Sequence, residues 1–450
     1  MSELPSGWGR AEIGDLCNLI NGRAFKPQEW SEFGLPIIRI QNLNNADAKF
    51  NNFSGTFDAK HHVKNGDLLF AWSGTPGTSF GAHIWHGGDA VLNQHIFKIE
   101  FSELDINRGF LRYAINQKLD ELIGSAQGGV GLRHVTKGTF EKTEIVFPPR
   151  AEQTRIAAKL DELLAQIDTL KARIDGIPAL LKRFRQSVLA AAVSGRLTEE
   201  WRAGNSNPGW SEIKLEDLLA GAKDGICRGP FGSSIKKEYF VPEGYKVYEQ
   251  KNAIRDNSLI GEYFVDEKKY KELERFSVRS GDFIVSCAGT LGRISLLPSN
   301  APAGLINQAL IRIRTNKKLV LDEYFLLLFK SPSFQEKLVV GARGGAMQNL
   351  ASTKEIKALE INCPTIFEQA EIVRRVEQLF AFADQLEARV KAAQARIDHL
   401  TQSILAKAFR GELVPQDPND EPASALLERI KAQRAAAPKA KRGRRAATLS

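Results

Sequence analysis

The chain has 450 residues, of which 43% are hydrophobic and 26% charged, and a formal net charge of +9. That length has room for two or more domains with sizeable cores, and the composition is that of a globular protein, not of a disordered or fibrous one. The positive balance leans toward an acidic partner such as nucleic acid, but Lys439, Lys441, Arg442, Arg444 and Arg445 crowd the last residues and leave the rest mildly basic.

The pattern along the chain is mixed. After an opening GWGRAEIGDLC at 7–17, short β-branched and aromatic runs read as strands: PIIRIQNL (36–43), DLLFAWSG (67–74) and HIFKIE (95–100). A helical stretch at 107–126 ends at the glycine turn GGVG (128–131). The segment AEQTRIAAKLDELLAQIDTLKARID then starts near 151, with apolar residues at Ile156, Leu160, Leu163, Ile167, Leu170 and Ile174. Gly176 and Pro178 should break that helix before RQSVLAAAVSGRL.

The same programme then runs again. GWSEIKLEDLL (209–219) matches the opening, and YKVYEQ (245–250), DFIVSCAG (282–289) and LIRIR (310–314) read as strands. AGLINQALIRIR (303–314) answers AVLNQHIFKIE (90–100), and a helical stretch at 321–340 ends at GARGG (341–345). FEQAEIVRRVEQLFAFADQLEARVK…TQSILAKAFRGEL (367–413) aligns with 151–197 without a gap at an offset of 216 residues, pairing Gln153 with Gln369 and Gly195 with Gly411. The offset grows from 202 at the opening to 215 at the GD strand, so the second copy carries about 13 extra residues early on. Each half is therefore a divergent globular part followed by a closely similar helical part.

In the second helical part Ile372, Val376, Leu379, Ala383, Leu386, Val390, Ala393, Ile397 and Leu400 alternate four and three apart, a coiled-coil seam. Each seam needs a partner. The helix could lie on its own domain or dimerise two chains, but the chain itself supplies a matching seam. A helix from Glu152 to Ile174 would be roughly 34 Å long, comparable with the ~34–36 Å turn of B-DNA.

Catalytic signatures are missing from the sequence. There is no GxxxxGK[ST] phosphate loop, no HExxH and no nuclease-like carboxylate cluster followed by lysine. Phe147-Pro148-Pro149-Arg150 lacks the polar and aromatic flanks that an adenine methyltransferase needs. His83, His86 and His95 lack the companions of a zinc site, and His61 and His62 read as surface residues. Trp72, Phe70 and Phe80 read as core. Cys17, Cys227, Cys287 and Cys363 are widely spaced, which argues against a disulfide framework and for a reducing compartment. No apolar run reaches the ~18 residues of a membrane span, and the first residues lack a signal-peptide core. The expectation is a cytoplasmic protein with no membrane partner that positions something another subunit modifies.

The order of divergent domain, EQ-led heptad helix, divergent domain and EQ-led heptad helix resembles the specificity subunit of type I restriction–modification systems. The resemblance is carried by PPRAEQTRIAAKLDELLAQIDTLKARID, IPALLKRFRQSVLAAAVSGRLTEEWR (177–202), CPTIFEQAEIVRRVEQLFAFADQLEARV and LTQSILAKAFRGELV. The segment EPASALLERIKAQRAA (421–436) and the domain openings NGRAFKPQEW…GLPIIRIQNLN and RGPFGSSIKKEYF…GYKVYEQKNAI also fit. It implies an α+β chain with two pseudo-twofold-related mixed α/β target recognition domains, separated by two long antiparallel coiled-coil helices. The divisions would be recognition domain 1 at 1–150, a central spacer at 151–196 and recognition domain 2 with its entry linker at 197–364. A second spacer at 365–413 and a short helix with a basic, disordered tail at 414–450 would follow. Each recognition domain would read one half of a bipartite, asymmetric site in double-stranded DNA. The helices would set the unread gap and dock two methyltransferase subunits that carry S-adenosylmethionine and methylate adenine. Two endonuclease/translocase subunits using ATP and Mg would join for restriction, and this chain would hold no cofactor, metal or active site of its own.

Base readout needs Arg or Lys for guanine and Asn or Gln for adenine, while phosphates take cations, hydroxyls and amides. In the first domain those residue types cluster at Arg23, Lys26, Arg39, Gln41, Asn42, Asn44, Ser73, Thr75, Arg133 and His134. In the second they are Arg228, Ser233, Ser234, Lys236, Lys237, Gln250, Lys251, Asn252, Arg255, Thr290, Arg293, Arg343, Gln348 and Asn349. The bland alternative is that such residues at strand ends and turns are solvated or cap backbone groups. Two other classes remain: a self-sufficient enzyme with an unrecognised site, and an interaction protein whose heptads bridge partners without DNA.

Overall fold

The computed structural model describes all residues except 1–3, 46, 75–79, 125–132, 206–208, 341–348, 437–447 and 450. Two units emerge: Met1–Arg173 with Gln394–Ser450, and Ile174–Ala393.

In the first unit the strands Asn18–Asn21, Ile96–Glu100, Leu68–Ala71 and Gly81–Ile84 form one antiparallel sheet in that order. Both faces are covered, which is why the run LLFA is apolar without alternation. Leu68, Phe70, Phe97 and Ile99 face the main core, and Leu69 and Ile96 face a smaller one with Trp85 and Leu92. A second sheet pairs Leu35–Ile38 parallel with Ala90–Leu92, flanked by Asn52–Phe53 and His62–Val63. Gly9–Glu12 pairs with Glu144–Phe147, closing the domain where its chain enters and leaves.

The second unit repeats this plan. Ile226–Arg228, Leu310–Ile313, Phe283–Ser286 and Ile294–Leu296 form the equivalent antiparallel sheet. Tyr245–Tyr248 pairs parallel with Gly304–Ile306, and an additional strand, Phe240–Val241, takes up part of the extra length. Ser211–Lys214 pairs with Glu360–Cys363 as the closing ladder. The interiors diverge even so. At the positions of half-buried Lys98 and exposed Glu100 in the first unit, the second buries Arg312 and Arg314, which Asp224 (2.7 Å to Arg312 and 2.6 Å to Arg314) and Asp282 (2.8 Å to Arg314) neutralise.

Some expected elements end early. The strand expected over 36–43 stops at Ile38, and a short helix, Ile40–Asn44, follows. Asn42 turns inward and accepts from the Arg39 N–H at 3.1 Å, a side-chain cap that competes with strand pairing. Asn252 does the same with the Glu249 N–H at 2.8 Å, starting the helix Gln250–Ile254. The stretch at 107–126 is Arg108–Gln117 and Leu119–Gly124, and that at 321–340 is Asp322–Lys330 and Pro332–Leu338, broken at the proline.

The first EQ helix is Arg150–Asp175, and Ile177–Val193 restarts after Gly176, as its sequence predicts. The second is one continuous helix, Ile366–Phe409, and the division between units falls within it. Inside each unit two helical segments pack antiparallel. In the first, Lys171 meets Asp398 at 3.4 Å, while Ile156, Ala157 and Leu160 share a core with Ala408 and Phe409. In the second, Arg185 meets Asp384 at 2.5 Å and Glu387 at 3.1 Å, while Arg375 donates to the Leu197 carbonyl at 2.8 Å. Ile372, Val376, Ala383 and Val390 are buried as the heptads require, but Leu170 and Leu400 are about half exposed, at 49% and 48%. The helix Ala423–Ala436 sends Ala423, Leu426 and Ile430 into the first unit's core. Of the tail read as disordered, Thr448–Leu449 pair with Phe57–Asp58, and the remaining residues from 437 lie outside the described ones.

The EQ dipeptide heading each helix is a clasp. Gln153 accepts from the Asn107 N–H at 2.8 Å and donates to the Pro148 carbonyl at 3.0 Å. Gln369 accepts from the Leu321 N–H at 2.8 Å and donates to the carbonyls of Pro364 (3.0 Å) and Leu319 (2.9 Å). The neighbouring glutamates take an indole each: Trp8 Nε1 to Glu152 at 2.9 Å, Trp210 Nε1 to Glu368 at 2.8 Å. All four EQ side chains are buried. The most recognisable letters of the repeat therefore bolt a helix to its sheet domain.

Candidate nucleic-acid interface

Both domains share a crossing of two chain segments. Gly22 and Gly229 pass so close to the Asn93 and Asn307 carbonyls that an added Cβ would lie 1.8 Å from the oxygen in each case. Only glycine permits that approach. In the first domain the crossing is locked by Arg23 N–H to the Leu92 carbonyl (2.9 Å) and Gln94 N–H to the Arg23 carbonyl (2.8 Å). It leaves Gln94 and Gln308 exposed at the tip of an equivalent turn in each domain. An exposed glutamine offers the donor and acceptor that suit an adenine edge. Sequence reasoning passed these two over, although NQ stands in both repeat strings.

In the first domain the predicted residues divide. Arg23 is taken up by an ion pair with Glu29 and lies over the rings of Phe25 (4.7 Å) and Phe53 (4.8 Å). Arg39 lies over Trp30 at 5.6 Å. Lys26 and Gln41 are exposed. Asn42 is a correction: it is buried, and it donates to the Ala48 carbonyl at 3.2 Å besides capping Arg39, so it shapes the loop instead of reading bases. Ser73 is likewise buried, on a strand paired with His134. The backbone of Asn44 ends the short helix and that of Arg133 lies on the strand beside Ser73; their side chains and Thr75 lie outside the described residues. Exposed His134 joins a ring cluster with Trp72 (5.9 Å) and His95 (6.4 Å). His95 has a φ of +75°, an uncommon backbone state outside glycine. Burial first, then His134, holds its imidazole below the usual histidine range. Phe70 and Phe80 are core, whereas Trp72 is half-buried.

In the second domain Arg228, Ser233, Lys236 and Lys237 are exposed and Ser234 is half-buried on the loop after Gly229. Phe231 on the same loop is 88% exposed. Asn252 is the matching correction: fully buried, it donates to the carbonyls of Asn257 (2.9 Å) and Ile260 (2.7 Å). Lys251 pairs with Glu249 at 2.6 Å. The structure brings Thr290 and Arg293 against the end of the helix Gln250–Ile254, where they line a cleft of about 420 Å³ with Ile254, Asp256 and Lys330. Gln250 reaches the same turn, its Oε1 being 3.7 Å from where a Cβ on Gly289 would stand. Arg255 is exposed just beyond. Arg343, Gln348 and the Asn349 side chain lie outside the described residues. Among the described residues no three His, Cys, Asp or Glu side chains gather as a metal site would require, and no helix is long and apolar enough to cross a membrane.

The model of the type I restriction modification DNA specificity domain matches residues 5–179 and again 209–393. The chain belongs to the type I restriction–modification specificity-subunit family. The EcoBI specificity subunit of Escherichia coli is 36% identical, covering 96% of this chain and 94% of its own length. The EcoKI specificity subunit of E. coli strain K12 is 35% identical, at 96% and 97% coverage. Among solved structures, the HsdS subunit from Thermoanaerobacter tengcongensis superposes with a TM-score of 0.59 at 18% identity, covering 92% of this chain and 99% of its own. A chain from a study of complex assembly and conformational transition of a type I restriction–modification system gives 0.65 at 18%, covering 92% and 100%. These two show the fold. The specificity-subunit sequence thus carries two DNA specificity domains, one in each unit.

Proposed function

We propose that this chain is the non-catalytic DNA-specificity subunit of a type I restriction–modification complex, with each recognition domain reading one half of a bipartite, asymmetric duplex target. The observation that carries the reading is the duplicated crossing at Gly22/Asn93 and Gly229/Asn307. Two domains of one plan each present an exposed glutamine and a cationic loop, while their surrounding loops differ enough to read different words. The EQ-led helices act as a pseudo-twofold, antiparallel coiled-coil spacer that sets the unread gap and docks two methyltransferase subunits. S-adenosylmethionine belongs to those subunits, which methylate adenine. ATP and Mg belong to two endonuclease/translocase subunits that join for restriction. The complex works in the cytoplasm.

Among the predicted residues, Lys26, Gln41, His134, Arg228, Ser233, Lys236, Lys237, Gln250, Arg255, Thr290 and Arg293 are the contacts we propose, with Gln94 and Gln308 added. Exchanging residues 15–145 for those of a relative, then mapping methylated adenines across a host genome, tests the division of labour. One half of the methylated sequence should change and the other stay. Change in both halves refutes modular reading. Lengthening a spacer helix by one turn, about 5.4 Å, should widen the gap or abolish methylation; an unchanged gap refutes the spacer role.

A further inference from the structure

The duplicated clasp is complete in one copy and incomplete in the other. In the second unit the buried Glu368 carboxylate receives Trp210 Nε1 (2.8 Å), Thr198 Oγ1 (2.7 Å) and the Arg202 guanidinium, which also donates to the Gly195 carbonyl at 3.0 Å. In the first unit Glu152, 1% exposed, receives Trp8 Nε1 on Oε2, and its Oε1 is buried with no hydrogen-bond partner among the described residues. The repeat explains the difference. Gly195 and Gly411 occupy the same left-handed turn, with φ of 80° and 74°. Counting on from them, Val414 and Pro418 stand where the second copy has Thr198 and Arg202. Neither side chain has a donor. Arg155, the cation that acts on Glu152 electrostatically, gives its hydrogen bond to Asp420 at 2.6 Å.

At that place the first unit has a cleft of about 680 Å³ lined by Glu152, Asp417, Asp420, Pro418 and Trp8. Arg10 also lines it and is paired with Glu144 at 2.9 Å. Of the three carboxylates Asp420 is paired with Arg155, which leaves Glu152 and Asp417 without an ion-pair partner among the described residues and room for one more cation. A buried carboxylate oxygen without a donor, as Glu152 Oε1 is, is costly to leave so. A guanidinium is the cation that suits it best: weakly hydrated, planar and forked.

We propose that this cleft is a binding site for an arginine side chain carried by another protein chain, which makes on Glu152 in trans the contact that Arg202 makes on Glu368 within this chain. A protein-borne arginine fits better than the free amino acid, whose own carboxylate would enter an acidic cleft.

The test uses the full chain labelled with 5-fluorotryptophan, the Trp8 ¹⁹F line being assigned by Trp8→Phe. Nα-acetyl-arginine methylamide, the lysine counterpart and free arginine are titrated at matched ionic strength. The arginine derivative should shift the Trp8 line saturably and leave Trp210 unmoved, with the lysine derivative and free arginine binding more weakly. Glu152→Gln keeps an acceptor for the indole and should lose the response while the Trp8 line stays dispersed. Pro418→Arg supplies the guanidinium in cis, so it should move the Trp8 line without any probe and block the probe. No saturable shift, a response that survives Glu152→Gln, a response unchanged in Pro418→Arg, or equal binding of the lysine derivative or of free arginine would each overturn the proposal.

Discussion

Replacing Gln369 by alanine tests the clasp directly. The side chain is fully buried and makes hydrogen bonds to the Leu321 N–H and to the carbonyls of Pro364 and Leu319. Alanine leaves one buried donor without a partner and two carbonyls short of one. A buried orphan costs about 1–3 kcal/mol, and each carbonyl loses an ordinary net contribution of about 0.5–1.5 kcal/mol. The second unit should therefore lose about 2–6 kcal/mol. Gln153→Ala, with two such bonds, should take about 1.5–4.5 kcal/mol from the first. Urea unfolding of the ¹⁹F-tryptophan chain separates the units, because Trp201 and Trp210 lie in the second and Trp8, Trp30, Trp72 and Trp85 in the first. Each transition is fitted separately, as a two-unit chain demands. A loss below ~1 kcal/mol in the second-unit transition, or an equal shift of both transitions, would refute the assignment of the EQ glutamines as bolts between helix and sheet.

Glu368→Gln should destabilise the second unit by about 3–5 kcal/mol, because a buried ion pair broken on one side leaves Arg202 uncompensated; an unchanged urea midpoint contradicts this. Glu152→Gln should do the opposite. Burial holds the Glu152 carboxyl above the ordinary glutamate range, so from the unfolded value of about 4.3 up through the raised folded value the native state keeps a proton that the unfolded chain has lost. Stability of the first unit therefore falls as pH rises through that window. The variant should flatten the slope and raise the neutral-pH midpoint, and a steeper slope would refute the burial argument. Gly229→Ala must displace the Asn307 turn and should abolish recognition of one half-site while the other persists, as read by methylome mapping; normal methylation of both rules out the close approach. Gln308→Ala should relax one base position by about 1–3 kcal/mol, whereas Asn252→Ala should weaken binding to all sequences alike, and competition binding with single-base variants distinguishes the two.

Much of the fold was legible because it depends on local periodicity. The strand runs, the break at Gly176 and the heptads of the second helix follow from side-chain spacing, and burial of Ile372, Val376, Ala383 and Val390 agrees with it. The site was legible by residue type but not by orientation. Gln41 and Asn42 are neighbours of the same chemistry, yet one faces solvent and the other is buried holding a loop. Nothing in the letters distinguishes them, since the distinction arises from where the chain turns after Ile38. Gln94 and Gln308 were visible as a repeated NQ, but their exposure comes from a crossing that two glycines permit.

From its sequence alone this protein is determined to be a duplication with two sheet-rich domains and two EQ-led helices, because periodicity and internal matching are properties of the chain itself. The tertiary structure decided which partners each segment finds. The last helical residues, 394–409 and 423–436, complete the core of the first domain, not of the second to which they are nearer in sequence. It also decided that one buried glutamate meets an arginine while its twin does not. Hydrogen bonding and burial depend on what lies across a fold, and the aligned letters E and Q are the same in both copies.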